Sequence, residues 1–345
     1  NDLKSTNEEG KESEAGFSLY SDIGDTKMNR NSRLHTNSNL RNTFFCEIVI
    51  GILANSTLLL FHILKFICGH RSKPTDLTIG LLALIHLIML LITAFRATDI
   101  FISRRGWDDI TCSFLVYFYR IFRGLSLCTT SLLSVLQAII LSPRSSCLAK
   151  FKHKSPYHIS CALLFLSIFY MLISSHLLVS VIATPNLTLK NFMYVTESCS
   201  LVPMSYFMQS TFTTLLALRE TFLISLMVLS SGYMIVLLCR HKKQTQHLHN
   251  TSLSPKASPE QRATQTILIL LSFFVLMSIL DGIISCLRTM FLNDATIYNI
   301  QLFVVHIYAV VSPFAFMCTE KHIDPFMNPM SLVGVCATED HRRPL

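Results

Sequence analysis

The chain has 345 residues, of which 51% are hydrophobic and only 14% are charged. Since a soluble domain carries about 25% charged residues, this composition excludes an ordinary soluble protein and indicates a membrane protein. The formal charge of +8 does not indicate binding to nucleic acid, because the basic residues fall in short loops between apolar runs.

The first 43 residues are polar, rich in Asn and Ser, and without apolar periodicity. Such a segment cannot bury enough apolar surface to fold, so we expect residues 1–43 to be a disordered tail. Within it, residues 1–27 are interpreted as an extension foreign to the domain. No basic region, short apolar core and cleavage site precede residue 44, so we expect no cleaved signal peptide.

Seven apolar runs follow, each about as long as the ~20 residues that cross a hydrocarbon core. The runs are 44–67, 77–101, 112–141, 159–182, 207–238, 264–287 and 297–317. They predict an all-α membrane protein, a bundle of seven transmembrane helices over residues 44–317, with a tail at 318–345.

The orientation of the bundle follows from the basic residues in alternating loops. Loops 68–76, 142–158 and 239–263 together hold eleven Lys and Arg, whereas the intervening loops hold four. Because cytoplasmic loops are enriched in Lys and Arg, the first set is cytoplasmic, the N-terminus lies outside, and residues 318–345 form a cytoplasmic tail.

The longest cytoplasmic loop joins the fifth and sixth spans and carries signals of its own. Arg240, Lys242 and Lys243 continue the fifth span into the cytosol. The loop closes on Ser258, a proline, a glutamate, Gln261 and Arg262; here Ser258 is the expected N-cap, and Gln261 reaches back to complete a capping box. The sequence therefore predicts a helix that starts at this point.

Several long strings resemble those of one family. They are RGLSLCTT at 123–130, LSVLQA at 133–138, KPTDL at 73–77, ESCSL at 197–201 and SLSPKASPEQRAT at 252–264. From about Met28 to Ile323 the chain resembles the vomeronasal type-1 receptors. The resemblance implies a rhodopsin-like, pheromone-type G-protein-coupled receptor of the plasma membrane. It further implies that a small ligand binds between the outer helix halves and that a G protein of the Gi/Go class is activated.

Departures from ordinary rhodopsin-like receptors fit the same family. The third span has Leu136-Gln137-Ala138 where those receptors carry an acidic residue, Arg and an aromatic residue. In the second span His86 replaces the usual Asp, which puts a sodium site in doubt. A bitter-taste-type receptor also lacks the third-helix triplet, but the string at 252–264 argues against it. A relic that no longer signals and, less favoured, a transporter are the remaining alternatives.

Two cysteines and one asparagine take outer positions. Through the resemblance, Cys112 and Cys199 are expected to form the bridge that ties the second outer loop over the bundle, the alternative being two free thiols. Of three glycosylation sequons, Asn55 falls within a span and Asn250 in the cytoplasm, so Asn186 alone is a credible acceptor. We expect Asn55 to form a hydrogen bond between helices.

Charged side chains within the spans are candidates for ligand binding, because a charge at the bilayer centre costs ~3 kcal/mol or more. They include Arg120, Arg123, Glu220, Asp281 and His306. At 100° per residue, Arg123 lies about 20° from the direction of Cys112 and roughly 16 Å below it, which points it into the bundle. A ligand contact and a salt bridge with Glu220 or Asp281 both stay open. For His306, a satisfied interhelical contact is the favoured interpretation.

No pattern supports catalysis, a bound metal or a cofactor. The sequence has no phosphate-cradling Gly-rich loop and no Cys-x-x-Cys spacing among its eleven cysteines. The residues expected to meet a G protein are those at the two ends of the 239–263 loop, namely Arg240, Lys242, Lys243, Ser258, Gln261 and Arg262.

Overall fold

The structure is a computed structural model that describes residues 42–68, 74–102, 107–143, 146, 155–183, 193–194, 199–202, 205–248, 259–290 and 295–323. The chain divides into two compact units, Asn1–Cys46 and Glu47–Leu345. Of the first, only residues 42–46 at the start of a helix are described. Asn186, Ser258 and most of both tails lie outside the described residues, and so do the side chains of Lys242, Gln261 and Arg262.

The described residues form eight helices, seven of them twenty residues or longer. Their bounds are α1 Asn42–Ile67, α2 Pro74–Ile102, α3 Asp109–Leu141, α4 Ser155–Ser174, α5 Leu177–Ser180, α6 Tyr206–Leu248, α7 Pro259–Met290 and α8 Ala295–Ile323. Five helices are long and apolar enough to cross a membrane, and two shorter apolar stretches, Leu164–Ser180 and Phe303–Cys318, occur in the regions of α4 and α8. The fold is thus an all-α membrane bundle.

Helix starts follow local sequence. Both α2 and α7 begin at a proline, Pro74 and Pro259. Proline is favoured at the first helical position because its missing N–H would have no helical partner there and its φ is already helical. In α6 the helix runs ten residues past the apolar run and ends at Leu248, because hydropathy marks the part of a helix that crosses lipid and not where the helix stops.

The fourth apolar run was expected to be one helix over 159–182, and this expectation is wrong at its outer end. Helix α4 stops at Ser174 and a turn leads into α5. The Ser175 hydroxyl donates to the Leu172 carbonyl at 2.7 Å, and the His176 ring nitrogen Nδ1 lies 2.8 Å from the Ile173 carbonyl. Such local side-chain bonds compete with the helical ladder, and hydropathy does not detect them.

A small sheet follows α5 in the second outer loop. Its strands are β1 Val181–Ala183, β2 Met193–Tyr194 and β3 Cys199–Leu201, in the order β1-β3-β2 and antiparallel. Val181 pairs with Leu201, and Ala183 pairs with Cys199. Strands of two or three residues leave no periodic signal in a sequence, so the sheet was not predicted.

Helix α3 lies at the centre of the bundle and packs against α2, α4 and α6 as well as β1. Among the described residues, one buried apolar cluster gathers side chains from six helices, among them Leu58, Leu82, Leu127, Met227 and Phe274. Large apolar residues elsewhere are exposed, including Phe66, Phe165 and Phe207. That exposure fits a lipid environment, because lipid tails are as apolar as these side chains.

Asn55 forms the hydrogen bond between helices that the sequence predicts. Its Nδ2 group donates to the Gly51 carbonyl of α1 at 2.8 Å and to the Ala309 carbonyl of α8 at 2.9 Å. The side chain is fully buried. Helix α8 continues past this contact and contains Pro313 in its interior.

Candidate functional site

The outer end of α3 is joined covalently to the second outer loop. Cys112 and Cys199 form a disulfide with a Cα–Cα distance of 5.7 Å, so the bridge implied by the resemblance is present. The Ser113 hydroxyl donates to the Val181 carbonyl at 2.7 Å, and the Asp109 carboxylate accepts the Ala183 N–H at 2.7 Å. These contacts fix the small sheet on top of α3.

An aspartate just before α3 also has a local partner. The Thr111 hydroxyl donates to the Asp108 carboxylate at 2.5 Å, and this hydrogen bond holds the pKa of Asp108 below its usual value. The side chain is fully exposed, so the interaction belongs to the loop surface and not to the interior of the bundle.

Eleven residues below Cys112, Arg123 forms a salt bridge with Asp281 of α7. The second carboxylate oxygen of Asp281 accepts a hydrogen bond from the Gln301 amide of α8 at 3.1 Å, and the same amide nitrogen lies 2.9 Å from the Ser285 hydroxyl. Of the two acids that the sequence offered as partners, Arg123 therefore takes Asp281. The pair connects α3 to α7, and Gln301 extends the connection to α8.

A cavity opens beside this salt bridge, between α2, α3, α6, α7 and α8. Its volume is about 70 Å³; since one water molecule needs roughly 10–15 Å³ of such space, the cavity has room for several water molecules. The lining is partly apolar and partly polar. Its polar and charged members are His86, Arg123, Ser126, Glu220, Ser278, Asp281 and Tyr308.

Each of three helices contributes one charged side chain to this cavity: Arg123 from α3, Glu220 from α6 and Asp281 from α7. Arg123 and Asp281 neutralise one another. Within the part of the chain that the structure describes, Glu220 has neither a salt bridge nor a hydrogen bond from its side chain. The cavity is also lined by Phe274 and Tyr308, whose rings pack edge-to-face with centroids 4.1 Å apart.

His86 occupies the position where a sodium-binding aspartate would be expected, and it is fully buried. Its Nε2 atom lies 2.7 Å from the Ser126 hydroxyl and its Nδ1 atom lies 3.2 Å from the Ser312 hydroxyl. Both ring nitrogens thus have neutral protein partners. Over the described residues, no group of three or more His, Cys, Asp or Glu side chains is arranged to hold a metal ion.

Two other candidates from the sequence, Arg120 and His306, do not belong to the described wall of this cavity. His306 is fully buried between α2, α3 and α8, with its Nε2 atom 2.9 Å from the Thr93 hydroxyl and 3.2 Å from the Tyr119 hydroxyl. This is the satisfied interhelical histidine that the sequence favours. Arg120 lies close enough to His176 for their charges to interact, which places it toward the outer end of α4.

Arg219 precedes Glu220 in the sequence but lies in a different environment. It is 7% exposed, and one guanidinium nitrogen donates to the Gly124 carbonyl at 2.8 Å and to the Cys128 sulfur at 3.1 Å. The guanidinium stands 4.0 Å from the centroid of the Tyr170 ring. The Tyr170 ring can pack directly against α3 because residue 124 is a glycine; an added Cβ there would come within 2.2 Å of the ring.

The cytoplasmic halves of α3 and α6 are joined by hydroxyl groups. Ser134 and Ser230 lie 2.5 Å apart through their hydroxyls, and Ser142 and Tyr233 lie 3.0 Å apart. Past this contact α6 continues through Arg240, Lys242 and Lys243. Arg240 and Lys243 are exposed, and α7 begins at Pro259, beside the expected cap.

The residues that the sequence did not single out are neutral. They are Gly124, Ser126, Phe274, Ser278 and Tyr308, all on the cavity wall. Only Gly124 left a usable signal, since small residues in membrane helices mark close helix packing. The others resemble any apolar or hydroxyl residue of a span, and only the three-dimensional arrangement shows which of them face the cavity.

Several known proteins are similar to this chain over most of its length. A family model described as the vomeronasal organ pheromone receptor family matches residues 38–329. The mouse vomeronasal type-1 receptor 45 is 76% identical over 296 residues, which cover 86% of this chain and 93% of that protein. Mouse vomeronasal type-1 receptor 51 is 74% identical over the same shares. Rat vomeronasal type-1 receptor 100 is 73% identical over 303 residues, 88% of this chain and 93% of that protein.

Proposed function

The chain belongs to the vomeronasal organ pheromone receptor family, and we propose that it detects a small ligand in the cavity beside the Arg123–Asp281 salt bridge and signals through a Gi/Go-type G protein. Membership of the family makes the chain a chemosensory receptor of the membrane and not an enzyme. The position of the ligand and the class of G protein go beyond what family membership shows, and they are the content of the proposal.

The observation that supports the ligand position is the gathering of three charged side chains around one cavity inside the bundle. Charges within membrane spans are costly and mark functional sites, where they face a cavity or a partner. Apolar and aromatic walls with a few convergent polar groups are also the usual lining of a small-molecule site. The small volume favours a ligand of few atoms.

Activation follows from the helices that supply the charges. A ligand shifts a receptor between two states only if it binds one of them more tightly. Arg123, Glu220 and Asp281 lie on α3, α6 and α7, so a ligand that contacts them is sensitive to the relative positions of these helices. Cytoplasmic continuations of α6 and α7 border the cleft where a G protein would enter.

A blocked cavity tests the ligand position. Ser278→Phe places a ring on the cavity wall, whereas Ser272→Phe places one at an exposed position of the same helix. Membranes containing equal amounts of each variant are exposed to a panel of small amines, alcohols, ketones and carboxylates, and nucleotide exchange on Gi/Go is measured. We expect Ser278→Phe to abolish every response and Ser272→Phe to retain it. An unchanged response in Ser278→Phe would place the ligand elsewhere.

The basic end of α6 tests coupling to the G protein. Changing Arg240, Lys242 and Lys243 together to Gln should weaken nucleotide exchange on Gi/Go several-fold, because exposed cations steer an acidic partner. The ligand concentration for half-maximal response should change little. A matched comparison with Gs in place of Gi/Go addresses the class of G protein, and equal exchange on both would contradict the proposed preference.

A further inference from the structure

We infer that Glu220 is the group that recognises the ligand's polar end, and that the ligand is a small organic cation, a protonated amine on an apolar body. This inference rests on the proposed ligand site and adds the chemical class of the ligand. The charges around the cavity do not balance, and this imbalance favours a cation.

Arg123 is the obvious group for an anionic ligand, but its charge is already matched. Asp281 accepts from Arg123 through one carboxylate oxygen and from the Gln301 amide through the other. An anionic ligand would have to displace Asp281 and leave a carboxylate unpaired inside the membrane span. Loss of a partner at a buried ion pair is unfavourable, because the remaining charge keeps its desolvation cost.

The charge of Glu220, unlike that of Arg123, is not matched by a partner among the described residues. It lies on the cavity wall and, throughout the described residues, neither a cation nor a hydrogen-bond donor engages its carboxylate. The nearest cation in sequence is Arg219, whose guanidinium points instead to the Gly124 carbonyl and the Tyr170 ring. Within the cavity the three charged side chains therefore sum to one unbalanced negative charge, and an intramembrane charge calls for a partner.

The other residues that line the cavity favour a cationic ligand over a neutral hydrogen-bond donor. Phe274 and Tyr308 present aromatic rings to the same space, and aromatic faces attract ammonium groups, more strongly where water is excluded. Ser278 supplies a hydroxyl oxygen that can accept a second N–H. Met89 and Met277 complete an apolar surface that can adapt to the body of the ligand.

Three probes of similar size separate the charge classes: propylamine, 1-propanol and propionate, each at millimolar concentration and neutral pH. Thermal unfolding of the purified full chain is measured with each. The variants are Glu220→Gln and Glu47→Gln, the second removing an acid in α1 that is not part of the cavity wall.

We expect the amine alone to raise the unfolding temperature of the native chain and of Glu47→Gln, by about 2 °C or more at saturating concentration. Glu220→Gln should show no shift. If Glu220→Gln does not fold, Glu220→Asp keeps the charge on a shorter side chain and should retain a smaller shift with the amine.

The inference and the proposed ligand site fail in different ways. Stabilisation by propionate that disappears in Arg123→Met would leave the cavity as the ligand site and overturn the assignment to Glu220. An amine shift that persists in Glu220→Gln, or no amine shift in a chain whose ligand response Ser278→Phe abolishes, would likewise overturn it. Failure of Ser278→Phe to affect any response would instead overturn the ligand site itself.

Discussion

The outer and cytoplasmic halves of α3 are attached to their neighbours by different chemistry. At the outer half, a disulfide, a small sheet and the Arg123–Asp281 salt bridge connect α3 to the loop and to α7. At the cytoplasmic half, the Ser134–Ser230 and Ser142–Tyr233 hydroxyl contacts connect it to α6. Over the described residues, no salt bridge joins α3 to α6.

The contrast indicates which half can change shape at low cost. A covalent bridge cannot exchange partners, and a salt bridge inside a membrane span is costly to separate. A hydroxyl contact contributes about 1 kcal/mol and is readily replaced by water once the helices part. Since Leu136-Gln137-Ala138 supplies no arginine at the foot of α3, hydroxyl groups and packing are what restrain the cytoplasmic end.

The largest effect is expected at the disulfide. Closing a loop with a sequence separation of 87 is worth ~4 kcal/mol in the chain-entropy model. Cys112→Ser and Cys199→Ser should each strongly reduce surface delivery, and the double variant should be no worse. Cys161→Ser, which removes a free exposed thiol of α4, is the control. Additive losses at Cys112 and Cys199 would show that the outer half does not depend on their bond.

The second largest effect is expected at the salt bridge between Arg123 and Asp281. Arg123→Met leaves Asp281 without its cation, and we expect a loss of roughly 3 kcal/mol of stability, at the low end of the range for buried pairs because the Arg123 side chain is 25% exposed. Arg123→Met with Asp281→Leu should recover most of the loss, because no charge is left unpaired. Thermal unfolding of purified receptor measures both. A double variant as unstable as the single would argue against a paired role.

Gly124 lies between the two halves, and its replacement should have an intermediate effect. Gly124→Ala brings a methyl group against the Tyr170 ring, and overpacking of this kind costs about 2 kcal/mol. Gly282→Ala is the matched control, because the space around Gly282 is open. We expect a lower unfolding temperature for Gly124→Ala only. Equal temperatures would mean that α4 moves away from α3 without cost.

The smallest change in stability, with the clearest change in signalling, is expected at the hydroxyl contacts. Ser134→Ala and Tyr233→Phe each remove about 1 kcal/mol and should raise ligand-free nucleotide exchange several-fold. Ser225→Ala removes a hydroxyl that bonds only within its own exposed helix face and should leave exchange unchanged. Resting activity that stays at the native level in both test variants would mean that packing alone holds the cytoplasmic end.

Hydropathy and local signals anticipated most of the helical architecture, because the spans are set by composition and the starts of α2 and α7 by proline. The direction of Arg123 followed from helix periodicity measured from Cys112. The choice between Glu220 and Asp281 did not, because it depends on how α6 and α7 are rotated about their axes. No pattern within a single helix records that rotation.

The parts that the sequence left open depend on individual side-chain hydrogen bonds, on very short strands and on contacts between distant segments. The end of α4 at Ser174 depends on two side-chain hydrogen bonds, and the sheet depends on strands too short to show alternation. The contact between Gly124 and Tyr170 joins helices 46 positions apart in the chain. A glycine marks close packing, but only coordinates show which ring fills the space.

The proline at position 313 explains what the hydrogen bond from Asn55 does for α8. In a regular helix the N–H at position 313 would donate to the Ala309 carbonyl four residues earlier, and proline has no N–H to give. Asn55 supplies the missing donor from α1, as neighbouring helices do where proline interrupts a membrane helix. The Ala309 carbonyl of α8 is therefore satisfied from another helix, and a displacement of α1 along its axis would leave that carbonyl without this donor.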